Sequence, residues 1–556
     1  MQITTQLSGS RIIFYIILII IISSGLKLYT VDFSIPPHSD DFGYIIDSTQ
    51  YSQGDFFLNP RKNPGWSLVL SPFMAIINSD NFLDYTTLAK ILGITISTIT
   101  IVPMYLLARR FFDEKYSLVA SCLFAFEPHL NYNSGIAFAE PLLILVLILS
   151  MNFILSDKTK YHCLAFVFTG LCWWVKLEAI YPLFAIILIY FFVHRSKPNS
   201  LPKFFLYMII FLLIVSPIFI QRYEQFGDPF YVWYNEIIFS DNYSQLLTSP
   251  ENAGKLEYFV EKHGILGLMD RLASGLMNLF NILIRISYPY LFILIPFGIL
   301  FSLRPIEQKL MNVKANWIMI IVIISVLMIP FAIVDERRYL LPIFPFLIIL
   351  STIPIQRITN YGLDTFSFSE RQKSIFLVIV VGVVLILSSI FTMGIGAFGY
   401  GLPNSVLEHE KVKFTEYLVE NFDGRILRDF DKDGRAVNDY LAYVNLTSDD
   451  NNFKTFKSPR GKNPYPDLYE PGKIVHTSVS GKTVEELITN GEIGGLKYIG
   501  ILEKGSYFFP FLNDLYYNEA NYPYMKKVFD SDKMGYQEFK IKVFEIDYKK
   551  FYEFSD

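Results

Sequence analysis

Apolar runs separated by short charged turns dominate residues 12–397 of this 556-residue chain. Phe204–Ile220 carries no charge, with Lys203 just before it and Arg222 just after, and Ile318–Val334 and Ser374–Ala397 have the same form. Such runs approach the ~20 residues an α-helix needs to cross a hydrocarbon layer. The pattern predicts an α-helical polytopic membrane protein. The first run, Ile12–Leu26, has only Arg11 before it and no small-x-small site after it, so it reads as a retained helix that runs on past an interfacial Lys27. Trp66–Ile77 is too short to span and predicts a helix lying at the outer surface. Ile91–Leu107 then crosses inward.

Lysine and arginine in short loops orient the helices. With the N-terminus cytoplasmic, the loop after the first helix lies outside, and it is acidic: Asp32, Asp40, Asp41, Asp47 and Asp55 against Arg61 and Lys62. The positive clusters then fall on inner turns: Arg109, Arg110 and Lys115; Lys158 and Lys160; Arg195, Lys197 and Lys203; Arg304, Lys309 and Lys314; Arg357, Arg371 and Lys373. Outer turns lie between them near Asn131–Gly135, Lys176–Tyr181, Gln221–Ser287 and Asp335–Arg338. The alternation predicts about eleven spans, which puts the C-terminal part outside the cytoplasm.

After Ala397 the composition turns polar. Phe414, Leu418 and Phe422 recur at helical spacing in Ser405–Phe422. Short β-rich runs follow at Arg425–Leu427, Lys473–Val479, Leu496–Leu502 and Phe539–Ile546, with a helix-forming stretch at Val484–Thr489. The division expected is a membrane domain over residues 1–396 and an extracytoplasmic α/β domain over 397–556.

Composition agrees: 52% of residues are hydrophobic and 17% aromatic. No basic block of the kind that binds nucleic acid is present. Cys122, Cys163 and Cys172 all lie in apolar segments, which predicts buried thiols and neither a disulfide framework nor a zinc site. Asn242-Tyr243-Ser244 and Asn445-Leu446-Thr447 fit glycosylation acceptors on the outer side.

The polar residues of the outer turns carry the candidate chemistry. Asp40 and Asp41 follow the first helix, Glu140 opens an inward helix before Pro141, and Lys176 and Glu178 share one turn. Arg222 and Tyr223 begin the long outer loop, and Asp335-Glu336-Arg337-Arg338-Tyr339 opens a later helix. Carboxylates beside arginines at one membrane face suit a site that binds a phosphate and moves a proton. Each residue also has a plainer reading. Glu140 before Pro141 suits a helix N-terminus. Arg337 and Arg338 suit interfacial anchors. Lys176 and Glu178 are too close in sequence to face each other on a helix, and they can snorkel.

Several of these segments resemble the GT-C glycosyltransferases, in the branch that contains protein O-mannosyltransferases and lipid A aminoarabinose transferases. Asp40-Asp41-Phe42-Gly43-Tyr44 is similar to that branch's Asp-Glu-x-x-Tyr, and Phe138-Ala139-Glu140-Pro141-Leu142 to its Thr-Glu-Pro-Leu. Arg338-Tyr339-Leu340-Leu341-Pro342-Ile343-Phe344-Pro345 resembles its Arg-Tyr-Leu-Leu-Pro-x-x-Pro. Asn63-Pro64-Gly65-Trp66 stands where the branch has a Lys/His-Pro-Pro-Leu turn, with Lys62 one position early. The second acid is Asp41 rather than Glu, and the Trp-Trp-Asp-Tyr-Gly motif of oligosaccharyltransferases is missing, which argues against oligosaccharide transfer to asparagine. The resemblance covers roughly residues 10–355.

The resemblance implies a sugar donor on a polyprenyl phosphate, a hydroxyl-bearing acceptor (protein, lipid or glycan) and transfer with inversion at the outer face. Asp40 is the implied base, and Asp41 orients the acceptor or holds a metal. Arg337 and Arg338 neutralise the leaving phosphate. Tyr44, Lys62, Glu140, Lys176, Glu178, Arg222 and Tyr339 complete the substrate-binding candidates. A divalent metal is compatible with this scheme and not required by it. Asp429, Asp431 and Asp433 match the first half of an EF-hand loop, but its twelfth position is Tyr440, so a solvated acidic turn is the expectation. A transporter or lipid flippase is the alternative function. It predicts internal repeats and broken mid-membrane helices, and no repeat stands out. A membrane anchor for the outer domain leaves the gathered acids and arginines unexplained.

Overall fold

The computed structural model describes residues 9–37, 40–196, 198–232, 238–240, 255–303, 310–334, 336–392, 405–427, 435–447, 453–454, 456, 473–477, 479–506 and 509–555.

The apolar runs fold as helices. In chain order they begin with α1 (Gly9–Thr30), α2 (Asp40–Ser52), α3 (Gly65–Ile77), α4 (Phe82–Ile99), α5 (Ile101–Ala108) and α6 (Glu114–Ala125). They continue with α7 (Pro128–Ser134), α8 (Glu140–Ile154), α9 (His162–Val175), α10 (Ile180–His194) and α11 (Ser200–Phe226). Further helices follow at Leu256–Ile286, Leu291–Ser302, Leu310–Phe331, Phe344–Arg357 and Glu370–Thr392. Local chemistry sets several starts. Asn81 accepts from the Leu83 amide at 3.0 Å, Asp113 from Tyr116 at 3.1 Å, and Glu127 from Leu130 at 2.6 Å. These side chains satisfy amide donors that a helix start leaves open.

Among the described residues, six helices are long and apolar enough to cross a membrane, or seven if the bent pair Leu256–Ile286 and Leu291–Ser302 is one span. The loop-charge alternation predicts more. Several segments it counts as crossings, α8 and α10 among them, are apolar helices of only 15 residues. At ~1.5 Å per residue these fall short of a ~30 Å hydrocarbon layer. Lys27, near the end of α1, is covered by protein. It is buried in α1 and donates to Ser97 Oγ at 2.9 Å, because α4 packs against that face.

One apolar core runs through the helical unit, from Phe42 and Trp66 to Leu350 and Val384. Cys122 and Cys172 are buried in it, and Cys163 is half-buried.

A five-stranded sheet lies in the C-terminal part, with order β2-β1-β3-β5-β4. Its strands are β1 (Gly424–Leu427), β2 (Ile474–Thr477), β3 (Leu496–Leu502), β4 (Met525–Asp530) and β5 (Ile541–Ile546). β1 is parallel to β2 and β3, and β5 is antiparallel to β3 and β4. The helix Ser405–Asn421 packs Phe414 and Leu418 on one face. Glu410 fixes that helix to the β4–β5 connection by accepting from the amides of Gln537, Glu538 and Phe539 at 2.6–2.9 Å. Burial alone raises the Glu410 carboxyl, but these three amides hold it below its ordinary value. β4 is the strand that periodicity missed; its alternation is broken by the paired Lys526 and Lys527. Asn445 is buried and donates to the Ile474 carbonyl at 2.9 Å, so it is not an accessible glycosylation acceptor. Asn242, Asp429, Asp431 and Asp433 lie outside the described residues.

The sheet unit grips the helical unit at the loops around α2 and α4. Phe453 packs edge-on against Phe82 at 5.1 Å and Tyr85 at 5.5 Å. Lys454 pairs with Asp80 at 2.7 Å, and Gln53 donates to the Lys454 carbonyl at 3.0 Å. His409 meets Asp32 at 3.1 Å. These contacts place the sheet unit directly over α2, the helix that begins at Asp40.

Candidate functional site

Asp40 opens α2 and is the centre of a charged cluster. Its Oδ2 lies 2.5 Å from Arg338 Nη2, and its Oδ1 lies 3.4 Å from Lys62 Nζ. Lys62 also donates to the Asp40 carbonyl oxygen at 2.7 Å and sits 4.7 Å from the centre of the Tyr44 ring. Arg338 comes from a 3-10 turn, Arg337–Ile343, and its guanidinium lies over Phe138 at 4.7 Å. Glu336 reaches the other side of the same guanidinium at 2.5 Å. Residues far apart in sequence therefore meet within one ion-pair cluster.

Glu140 and Lys176 form the adjoining pair. Lys176 Nζ donates to Glu140 Oε1 at 2.6 Å and lies 4.9 Å from the Tyr339 ring. Glu140 is the first residue of α8 and is fully buried, while Lys176 ends α9 in an extended conformation. That break lets Lys176 turn away from Glu178 and cross to α8. The helix-start reading of Glu140 is thus compatible with a role in the site. Its second oxygen, Oε2, is buried with no hydrogen-bond partner, which is costly unless another polar group arrives.

Glu178 and Tyr339 face a neighbouring cavity of ≈370 Å³. Its walls are otherwise apolar, with Trp173, Phe230, Val326, Pro330 and Val334 among them. Tyr339, which also lies beside Lys176 and Arg338, links this cavity to the charged cluster.

The electrostatics of Asp40 follow from this geometry. Burial pushes its carboxyl up, but Arg338 first, then Lys62 and Lys176, hold it well below the usual carboxylate range. Asp40 is therefore ionised across physiological pH. Burial and the nearby Asp40 and Glu140 charges push the Tyr44 phenol well above its ordinary value, so it stays protonated and can donate.

The other candidates are placed differently. Asp41 is buried and its carboxylate accepts from the Phe42 amide at 3.0 Å. Its charge acts on Lys90 and Tyr132 of the helical unit and on Tyr440 of the C-terminal unit. Arg337 is exposed, and its charge acts on Tyr132. Arg222 is buried below the cluster and donates to Asn63 Oδ1 at 2.8 Å and to the Tyr231 carbonyl. Among the described residues, no three His, Cys, Asp or Glu side chains are grouped to hold a metal ion. Glu336, Phe138 and Asn63 also take part; each lies in a segment the sequence singles out, but the candidates read there are the neighbouring Arg338, Glu140 and Lys62.

Comparison with known proteins bears on the fold. The family model for dolichyl-phosphate-mannose-protein mannosyltransferase matches residues 62–220, which include Lys62, Glu140, Lys176 and Glu178. Comparison with curated proteins gives no match. Among solved structures, the oligosaccharyltransferase of Archaeoglobus fulgidus in complex with zinc and sulfate superposes with a TM-score of 0.55 at 14% identity, covering 88% of this chain and 68% of that one. The chain has the GT-C fold. The same archaeal enzyme tethered to an acceptor peptide gives a TM-score of 0.55 at 13% identity, over 89% of this chain and 70% of that one. ArnT from Cupriavidus metallidurans bound to undecaprenyl phosphate is 13% identical, covers 96% of this chain and 98% of that one, and has a TM-score of 0.49. On the GT-C fold of this chain, the Asp40 cluster sits where α2, α8, α9 and the Arg337–Ile343 turn converge.

Proposed function

We propose that this protein is a membrane glycosyltransferase that moves a sugar from a polyprenyl-phosphate donor to a hydroxyl acceptor at the extracytoplasmic face. One observation carries the reading: Asp40, Lys62 and Arg338 form an ion-pair cluster beside an apolar-walled cavity. A lipid-linked phosphate needs this pairing of cations and hydrocarbon surface. The family model that matches residues 62–220 supports it, since its description names dolichyl-phosphate-mannose, a sugar on a lipid phosphate.

The donor's first isoprene units occupy the cavity, and its phosphate meets Arg338 and Lys62. A guanidinium suits that task because its planar fork can bond two phosphate oxygens. The acceptor oxygen attacks the anomeric carbon, the bond from that carbon to the phosphate oxygen breaks, and the acceptor proton passes to Asp40. In the resting arrangement Asp40 is a weak base because Arg338 and Lys62 neutralise it. As negative charge grows on the leaving phosphate, both cations are drawn towards it, and the proton affinity of Asp40 rises when it is most needed. Glu140 Oε2 is a ready acceptor for a sugar hydroxyl. Asp41, whose charge acts on Tyr440 of the C-terminal unit, orients the sheet unit over the acceptor, and the sheet unit selects the acceptor rather than performing the chemistry.

The test is transfer from a panel of radiolabelled polyprenyl-phosphate sugars to membrane acceptors, with Asp40→Asn beside the wild type. The amide keeps the shape and cannot take the proton. Undiminished transfer by Asp40→Asn removes the base assignment, and no transfer from any such donor by the wild type removes the donor class.

A further inference from the structure

Lys62 reaches Asp40 from a loop that has no regular structure of its own, so something else must hold it there. The loop, residues 57–64, is clasped by one face of α11. Arg222 donates to Asn63 Oδ1 at 2.8 Å, and Asn63 donates in turn to the Trp173 carbonyl. Near the next helical turn, Gln225 grips Leu58 from both sides. It accepts from the Leu58 amide at 3.1 Å and donates to the Leu58 carbonyl at 2.7 Å. The far end of the loop is pinned by contact. A Cβ on Gly65 would lie 2.5 Å from the Trp174 carbonyl oxygen, so the backbone docks flush against the end of α9.

Arg222 itself is 1% exposed, and its second nitrogen is spent on the Tyr231 carbonyl. Among the described residues no carboxylate forms an ion pair with it. A guanidinium this deeply enclosed offers no open face to a phosphate. Its fork instead bridges two backbone-bearing segments, a geometry an ammonium cannot reproduce.

We infer that Arg222 and Asn63 are positioning residues, a buried clasp that sets Lys62 against Asp40 and thereby prepares the cation for the donor phosphate. The second half of this statement rests on the proposed function above; the first half does not. A full-length protein in detergent allows the two to be read separately. Acylation of Lys62 by an amine-reactive ester, followed by mass spectrometry, reports whether the lysine is held. Binding of tritiated polyprenyl monophosphate reports what the held lysine does.

With the clasp broken by Asn63→Ala or Arg222→Gln, Lys62 acylation accelerates about tenfold or more while the protein remains folded by thermal unfolding. Arg222→Lys keeps the charge without the fork and behaves like Arg222→Gln. Lipid-phosphate binding weakens about tenfold in Lys62→Met and in Asn63→Ala, and the double variant Lys62→Met/Asn63→Ala binds no worse than Lys62→Met, because the two changes remove one interaction. Unchanged Lys62 acylation in folded Asn63→Ala and Arg222→Gln overturns the clasp. Additive losses in the double variant overturn the claim that Asn63 acts through Lys62. Faster acylation with lipid-phosphate binding unchanged in Lys62→Met keeps the clasp and overturns the donor role of Lys62.

Discussion

Arg338 and Asp40 meet at 2.5 Å, with the guanidinium also held by Glu336 at 2.5 Å. The Asp40 side chain keeps 31% of its surface exposed while that of Arg338 keeps 11%. The acid is therefore the more accessible of the two, and the cation lies deeper.

If Asp40 takes the acceptor proton, Asp40→Asn lowers the transfer rate by ~10²–10⁴-fold, the usual contribution of a general base. Initial rates with radiolabelled donor check this, with binding of lipid phosphate as the control that stays within a few-fold of wild type. A rate within threefold of wild type would falsify the assignment.

The pH dependence follows from the lowered Asp40 carboxyl. A group lowered in the folded state contributes its stability above the ordinary carboxylate value, and loses it only as pH falls through the lowered value. Wild-type kcat/KM should show no acid limb from Asp40 above the usual carboxylate range. In Arg338→Gln the strongest opposing charge is gone and burial dominates. The Asp40 carboxyl then rises, and residual kcat/KM should fall as pH drops through the new, higher value. A pH–rate profile of both proteins decides, and identical acid limbs would contradict the account.

Lys176→Met leaves the fully buried Glu140 without its ion-pair partner. Breaking one side of a buried pair typically costs ~3–5 kcal/mol. Denaturation of the purified protein should show a clear loss of stability, and Lys176→Met/Glu140→Gln should recover much of it. If the double variant is as unstable as the single one, charge burial is not the cause.

Phe453 anchors the sheet unit on Phe82 and Tyr85. Removing a buried phenyl ring costs ~3–5 kcal/mol in a well-packed site. Phe453→Ala should therefore loosen the sheet unit over α2, raise the acceptor KM and leave lipid-phosphate binding within a few-fold. An equal loss of donor binding would place the sheet unit in the donor site.

Much of this was legible from the chain alone. Uncharged runs such as Phe204–Ile220 could only be helices in an apolar medium, since no other local structure satisfies every backbone amide there. The helix at Ser405–Asn421 and the strand Leu496–Leu502 followed from side-chain period, because burial on one face imposes that period. Asp40, Glu140, Lys176 and Arg338 could be listed as candidates because charges beside apolar helices are expensive.

Tertiary packing decided which of these residues act together. Lys176 lies two positions from Glu178 but pairs with Glu140 across two helices, because α9 ends in an extended residue. Asp40 and Asp41 are neighbours whose carboxylates meet different partners: one pairs with Arg338, the other accepts from the Phe42 amide. Helical geometry separates adjacent side chains by about 100°, so sequence proximity could not assign both to one site. Arg222 carried the same charge as Arg338 and looked equivalent in the sequence. Its enclosure by Asn63 and Tyr231 came only with the fold, since a charge's role depends on what surrounds it, and those surroundings are long-range contacts.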